Sequence, residues 1–286
     1  HPLVGQHVIV ANEGAAVGFG IGAYLGSARP AAVYMQNSGL GNPVNPLTAL
    51  AHRDVYGTPI FLIIGWRGEP GRLDEPQHRT QGRITLELLE LMGIPFFVLS
   101  PDEETSQAGV KSLVQNLQSS PGPVALVVPQ GLLGPENETP PTGPSLTMSR
   151  EEALGFLLSV IPPTDRVVVT TGMLGREFWE IREKSGHTHA NDFLVVGGMG
   201  HASAIAHGVA SIDPKHPVWC LDGDGSILMH LGSLGIIGDR QARNLKHVVF
   251  NNFSHDSVGG QPTAVGSIDL NRLSRALSYN WFGSAS

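Results

Sequence analysis

The chain is 286 residues long with 36 Gly and 21 Pro, together about a fifth of the sequence against about 12% in average usage, which excludes a helical bundle or coiled coil because both residues weaken helix interiors. Hydrophobic residues at 41% and charged residues at 15% support a buried core and exclude a disordered chain; a net charge of -7 excludes a broad nucleic-acid footprint. The single cysteine, Cys220, excludes an internal disulfide and a Cys-cluster zinc site and suits a reducing cytoplasm. No apolar run approaches a membrane span and no signal-peptide pattern opens the sequence, so a cytoplasmic protein with no membrane partner is expected. The missing initiator Met is consistent with a fragment.

In chain order, short runs rich in Val, Ile and Phe predict strands at 7–10, 32–35, 60–64, 96–99 and 124–128. Helical spacing fills the gaps at 13–25, 46–52, 80–92 and 103–117, and strand-helix alternation of this kind predicts a parallel sheet covered by helices. A Pro/Gly-rich stretch at 131–149 then reads as a linker between a first domain at 1–130 and a second at 150–286. The second begins with a helix near Ser149, where Ser precedes two acidic residues. Strands follow at 167–170, 193–196, 218–221 and 247–250, with helices at 176–184, 201–210, 227–239 and 269–279. The fold class is therefore α/β, with two parallel-sheet domains.

Ligands of open parallel sheets sit beyond the C-terminal ends of the strands. The strongest signal there is Gly223-Asp224-Gly225-Ser226, followed after about 25 residues by Asn251-Asn252, each at the end of a predicted strand. An Asp and an Asn offered to one crevice suit a hard cation such as Mg²⁺. The glycines let backbone N–H groups approach a diphosphate, and the helix after Ser226 turns its positive end towards the anion. Either piece alone is better read as an ordinary turn. Together they have the spacing of a thiamine diphosphate signature.

On these residues the chain resembles the thiamine diphosphate dependent 2-oxo acid decarboxylases over nearly its whole length, and each domain is expected to have their cofactor-binding fold. The resemblance implies a first, pyrimidine-binding domain in which ANEGAAVG at 11–18 supplies the essential acid, Glu13. In the family this carboxyl pairs with a ring nitrogen of the aminopyrimidine and drives the tautomer that activates the thiazolium, which calls for a largely apolar pocket. It further implies, from VGGMGHASAIAHGVA at 196–210, that the Gly197 carbonyl accepts from the pyrimidine amino group and that Met199 wedges the cofactor into a bent shape. The diphosphate contacts fall to Gly223, Asp224, Gly225 and Ser226. Mg²⁺ falls to Asp224, the Asn252 side chain and the Ser254 carbonyl, with Asn251 supporting the turn.

YMQNSGLGNPVNPLTAL at 34–50, LIIGWRGEPGRLDEPQH at 62–78 and SVGGQPT at 257–263 narrow the resemblance to the phosphonopyruvate decarboxylases, with sulfopyruvate decarboxylases as near relatives. The implied reaction converts phosphonopyruvate to phosphonoacetaldehyde and CO₂, as in phosphonate biosynthesis. The substrate is then a small 2-oxo acid with an anionic head group, which needs cations or donors around it. Arg67, His78 and His255 are candidates, with Asn37, Ser38 and Gln261 as neutral donors, and His78 lies where related enzymes place catalytic histidines. The resemblance also implies a homodimer or homotetramer with sites between subunits. Both outer ends are shorter than the family pattern, so each domain is expected to be incomplete there. Sulfopyruvate or another 2-oxo acid, and a catalytically silent truncated paralogue, are the competing readings. A nicotinamide-binding domain is excluded by the lack of Gly-x-Gly-x-x-Gly after the first strand.

Overall fold

The computed structural model describes residues 7–133, 147–256 and 259–285, and the chain divides into two compact units between Glu138 and Thr139. Most of the 131–149 linker and the first two residues of the 257–263 motif lie outside the described residues. Among the described residues no helix is long and apolar enough to cross a membrane.

The first unit is built on a parallel sheet of order β1-β2-β4-β3, with β1 at Ala31–Gln36, β2 at Ile60–Trp66, β3 at Phe96–Val98 and β4 at Pro123–Pro129. The central strands are continuous apolar runs because helices cover both faces, and Ile60, Leu62, Ile64, Ala125 and Val127 are all fully buried. α1 (Glu13–Ser27) starts where the Asn12 side chain accepts from Ala15 N at 2.9 Å, and its Val17 packs into the same core. α3 (Pro76–Leu91) has Pro at its first position, where the missing N–H costs nothing. α4 (Glu103–Ser119) is capped by Asp102 through Thr105 N.

Two predicted elements of this unit are corrected. Residues 7–10 form no strand: Val8 and Ile9 stay exposed, and β-branched residues form a strand only where a neighbouring strand is there to pair with. The predicted helix at 46–52 is instead a short turn, α2 (Val44–Pro46), running into a wide π turn at Leu47–Ala51.

The second unit repeats the plan with sheet order β6-β5-β7-β8, where β5 is Arg166–Val169, β6 Asp192–Leu194, β7 Val218–Gly223 and β8 Leu245–Phe250. α5 (Arg150–Val160) opens with a full capping box between Ser149 and Glu152. α6 (Met173–Lys184) and α7 (Ala202–Ile212) cover the two faces, with α7 packed on β7. The helix expected at 227–239 is two, α8 (Asp224–Met229) and α9 (Gly232–Arg240), broken at His230 with φ −133° and ψ 48°. The sequence hides this break because Ile227, Leu234 and Ile237 keep one apolar spacing across it and pack in one cluster. α10 (Leu270–Ala276) ends the described fold.

Asn37, just past β1, ties the top of the first sheet together. It is 4% exposed, accepts from Arg67 N at 2.9 Å, and donates to the Arg67 carbonyl at 2.8 Å and to Thr85 Oγ1 at 2.9 Å. Its amide therefore joins β1, β2 and α3 and is used up in doing so, which corrects its reading as a free substrate donor. Asn37→Ala is expected to lower the urea unfolding stability of the protein by about 3 kcal/mol, because it removes three hydrogen bonds in a largely buried setting; a change below experimental error would contradict the role.

Candidate cofactor and substrate site

In the second unit, the predicted cofactor residues gather at the C-terminal end of β7. Asp224 is the first residue of α8 and only 3% exposed. Burial pushes its carboxyl above the usual carboxylate range; hydrogen bonds from Thr263 and from Gly225 N, and the nearby His255, pull the other way. Thr263 Oγ1 donates to Asp224 Oδ2 at 2.6 Å. A carboxylate so buried calls for a cation, and a divalent ion fits that need.

Thr263 reaches Asp224 because the chain after β8 folds back on itself. Thr263 N donates to the Phe253 carbonyl at 3.0 Å and His255 N to the Gln261 carbonyl at 2.8 Å, and Ser254 bridges Pro262 in antiparallel fashion. This returning segment sets His255 over Gly225, where a Cβ on Gly225 would stand 2.5 Å from the His255 Nδ1 and 3.4 Å from the Met199 Cε. A side chain at this position would displace the His255 ring. Met199, the predicted wedge, and His255, the predicted substrate candidate, thus both border the diphosphate loop.

The remaining residues are placed as follows. The Ser226 hydroxyl faces inwards, accepting from Gly200 N at 3.2 Å and from Thr170 Oγ1 at 3.1 Å; it braces the loop within the protein. Asn251 Oδ1 accepts from Phe253 N, the turn-supporting role expected of it. Asn252 Oδ1 accepts from Ser254 N at 3.1 Å while its amide donates to Asp256 at 2.8 Å, so one lone pair of Oδ1 is left for a ligand. Gly223 has open space where a side chain would project. Gly197 lies half-buried in the turn that leads to Met199.

In the first unit, Glu13 opens α1 half-buried, with Oε2 receiving the Asn42 amide at 2.6 Å. Its carboxyl lies directly over Gly39, where any Cβ would overlap it. Oε1 makes no hydrogen bond among the described residues. Arg67 is not the free cation that the sequence suggested: its guanidinium forms a two-pronged pair with Asp74. Asp74 also accepts from Gly68 N at 2.7 Å and Glu75 N at 2.8 Å; its bonds to Arg67 above all hold its carboxyl well below the usual range. Arg72 is likewise engaged by Glu69 and the Gln130 carbonyl, and the Ser38 hydroxyl donates to Gln36. His78 sits in the first turn of α3 with Nδ1 buried and without a partner. Burial, then the charge of Arg67, lowers its pKa, which keeps the imidazole neutral and able to accept a proton.

Sequence reasoning passed over three residues of these sites. Asn42 lies in a loop that was marked for function, yet nothing singled it out. Thr263 is an ordinary Thr until the returning segment brings it to Asp224. Asp74 carried a signal in hindsight, because a carboxylate seven residues after an isolated Arg in a Gly-rich loop is within reach of it.

Comparison with known proteins decides the family. Residues 169–276 match the thiamine pyrophosphate enzyme, C-terminal TPP binding domain. The whole chain is 37% identical to a phosphonopyruvate decarboxylase of Streptomyces viridochromogenes, over 96% of this chain and 70% of that one. The chain belongs to the phosphonopyruvate decarboxylase family. A second phosphonopyruvate decarboxylase, from Streptomyces hygroscopicus, is 36% identical over the same shares. A sulfopyruvate decarboxylase of Methanosarcina acetivorans aligns over 96% of this chain and 74% of its own length, at 27% identity. At equal coverage of this chain, the resemblance to the phosphonopyruvate enzymes is the stronger.

Asp74→Asn is expected to cost about 2 kcal/mol of stability at neutral pH, the weight of a charge-assisted hydrogen-bond set that is partly open to solvent. Because the folded carboxyl is depressed, this contribution is complete above the ordinary carboxyl pKa and is lost as pH falls through the folded value. Urea midpoints of the two proteins should therefore converge only in strong acid; convergence near neutral pH would contradict the pairing.

Proposed function

We propose that the protein decarboxylates phosphonopyruvate to phosphonoacetaldehyde and CO₂, using thiamine diphosphate and Mg²⁺. The observation that carries the cofactor reading is the buried Asp224 at the end of β7, short of a cation, with Asn252 and Ser254 following the neighbouring strand β8. Asp224 Oδ1, Asn252 Oδ1 and the Ser254 carbonyl are hard oxygens of the kind Mg²⁺ prefers and would hold the ion, which would supply positive charge for a diphosphate. Thiamine diphosphate supplies the electron sink that carbanion chemistry at a 2-oxo acid requires.

The rest falls to the chain itself. Glu13, fixed at Oε2 by Asn42, holds Oε1 for a proton shared with the pyrimidine nitrogen. Met199, beside the Gly223–Gly225 loop, would brace the cofactor, and the open space at Gly223 would admit it. The neutral His78 takes or returns a proton at Nδ1. His255 borders the diphosphate loop and, with the Gln261 amide, offers donors to the anionic head group. Arg67 acts indirectly by fixing the loop before His78. At least two copies assemble, Glu13 of one completing the site of Asp224 and Asn252 of another, in the cytoplasm.

Turnover of phosphonopyruvate, sulfopyruvate and pyruvate, followed by aldehyde formation with Mg²⁺ and thiamine diphosphate present, tests the reading. Phosphonopyruvate is expected to lead in kcat/KM by about 100-fold or more, since a site built for a dianion leaves polar groups unmatched with the others. Equal rates would overturn the substrate assignment, and no turnover by a protein that binds the cofactor would establish the silent paralogue. Glu13→Gln should lower kcat by about 100-fold or more, the usual weight of a positioned acid, with cofactor affinity little changed; unimpaired kcat would remove Glu13 from the mechanism.

A further inference from the structure

Two residues before Asp224 lies a second polar group that the decarboxylation reading does not use. Cys220 and Asp222 alternate with Leu221 along β7 and so share one face of the sheet. The parallel register sets His247 of β8 directly beside Cys220. The three side chains therefore converge within a triangle: the Cys220 sulfur, an Asp222 oxygen and a His247 ring nitrogen all lie within 4.8 Å of one another. The triangle is dry. Cys220 and Asp222 are wholly buried, and the His247 side chain is 4% exposed.

This arrangement is unbalanced without a cation. Asp222 Oδ1 accepts from Gly223 N at 2.9 Å, but Oδ2 and the His247 Nε2, 3.5 Å apart, have no hydrogen-bond partner. A carboxylate taken fully out of water with one oxygen unmatched is costly. The other nitrogen of His247 is engaged: Nδ1 meets the Tyr279 hydroxyl at 3.2 Å. An oxygen on one imidazole nitrogen that turns the other towards a shared point is the arrangement that orients metal-ligating histidines. Burial and the charge of Asp222 push the Cys220 thiol up, so the thiol stays protonated until a cation takes the proton's place.

We propose that Cys220, Asp222 and His247 form a second metal site, for a zinc-type divalent ion. Thiolate, imidazole and carboxylate together select a borderline-soft ion over Mg²⁺, and three protein ligands leave the fourth tetrahedral position open. On binding, the Cys220 thiol releases its proton to solvent and the sulfur bonds the metal. One thiolate, one carboxylate, a neutral imidazole and M²⁺ sum to zero charge, the favourable state for a buried site. The ion would clamp β7 to β8 and, through Tyr279, to the segment after α10, directly behind the loop that begins at Gly223. The site does not depend on the decarboxylase reading.

Cobalt titration of the protein in saturating Mg²⁺ and thiamine diphosphate tests it. Because Cys220 is the one cysteine in the chain, a thiolate-to-cobalt charge-transfer band can arise only there. One equivalent of Co²⁺ should give that band together with intense tetrahedral visible bands, and Zn²⁺ should displace both. Cys220→Ser should abolish the charge transfer, and His247→Gln and Asp222→Asn should weaken binding about tenfold or more. Tyr279→Phe, the mildest change, should weaken it about tenfold. Circular dichroism checks that each variant is folded. No charge-transfer band in the folded wild-type protein, or a band unaltered by His247→Gln or Tyr279→Phe, would overturn the site.

Discussion

The second unit is organised around one constraint: an Asp carboxylate placed where a central strand ends, withdrawn from water, and matched only by neutral donors, chiefly the Thr263 hydroxyl and the Gly225 N–H. Asp224 stands at the junction of β7 and α8, and the returning segment after β8 exists in this form because Thr263 must reach it. That return carries His255 onto Gly225 and, with Met199, walls the diphosphate loop. A buried anion held by fixed dipoles is a poor resting state and a good cation receptor. The same electrostatic deficit that weighs on the isolated chain is the basis of the proposed cation site.

The first unit solves a different problem, which is to present one carboxyl on a strand-to-helix loop without letting it collapse into its surroundings. Gly39 makes room for Glu13 and Asn42 takes one of its oxygens. The top of the sheet beneath is held because Asp74 spends its four acceptor positions on the loop that starts at Arg67, while Asn37 ties that loop to α3. The charged residues nearest the predicted substrate are thus mostly scaffold. Groups with capacity left over include His78, whose buried Nδ1 has no hydrogen-bond partner among the described residues.

Much of this could be read from the sequence because strand cores and diphosphate loops are local. β2, β4 and β7 are apolar runs bounded by Gly and Pro, and Gly223-Asp224-Gly225 with Asn251-Asn252 carries its spacing in plain view. What could not be read depends on distance in the chain. Thr263 meets Asp224 across 39 residues, and Asp222 meets His247 only through sheet register. Residues 7–10 have strand composition without a strand to pair with, and α8 and α9 share an apolar stripe that conceals the break at His230. Arg67 was misread for a related reason: a lone cation in a loop looks available until its partner is seen.

The proposed function turns on Asp224 receiving the cation through which the cofactor would be held. Calorimetric titration of the protein with thiamine diphosphate, with Mg²⁺ and again with a chelator, in the wild type and in Asp224→Asn, measures it directly. Binding should require Mg²⁺, and Asp224→Asn should weaken it about tenfold or more, equivalent to about 1.4 kcal/mol at least. Binding of equal affinity in the variant, or binding indifferent to the chelator, would contradict the account.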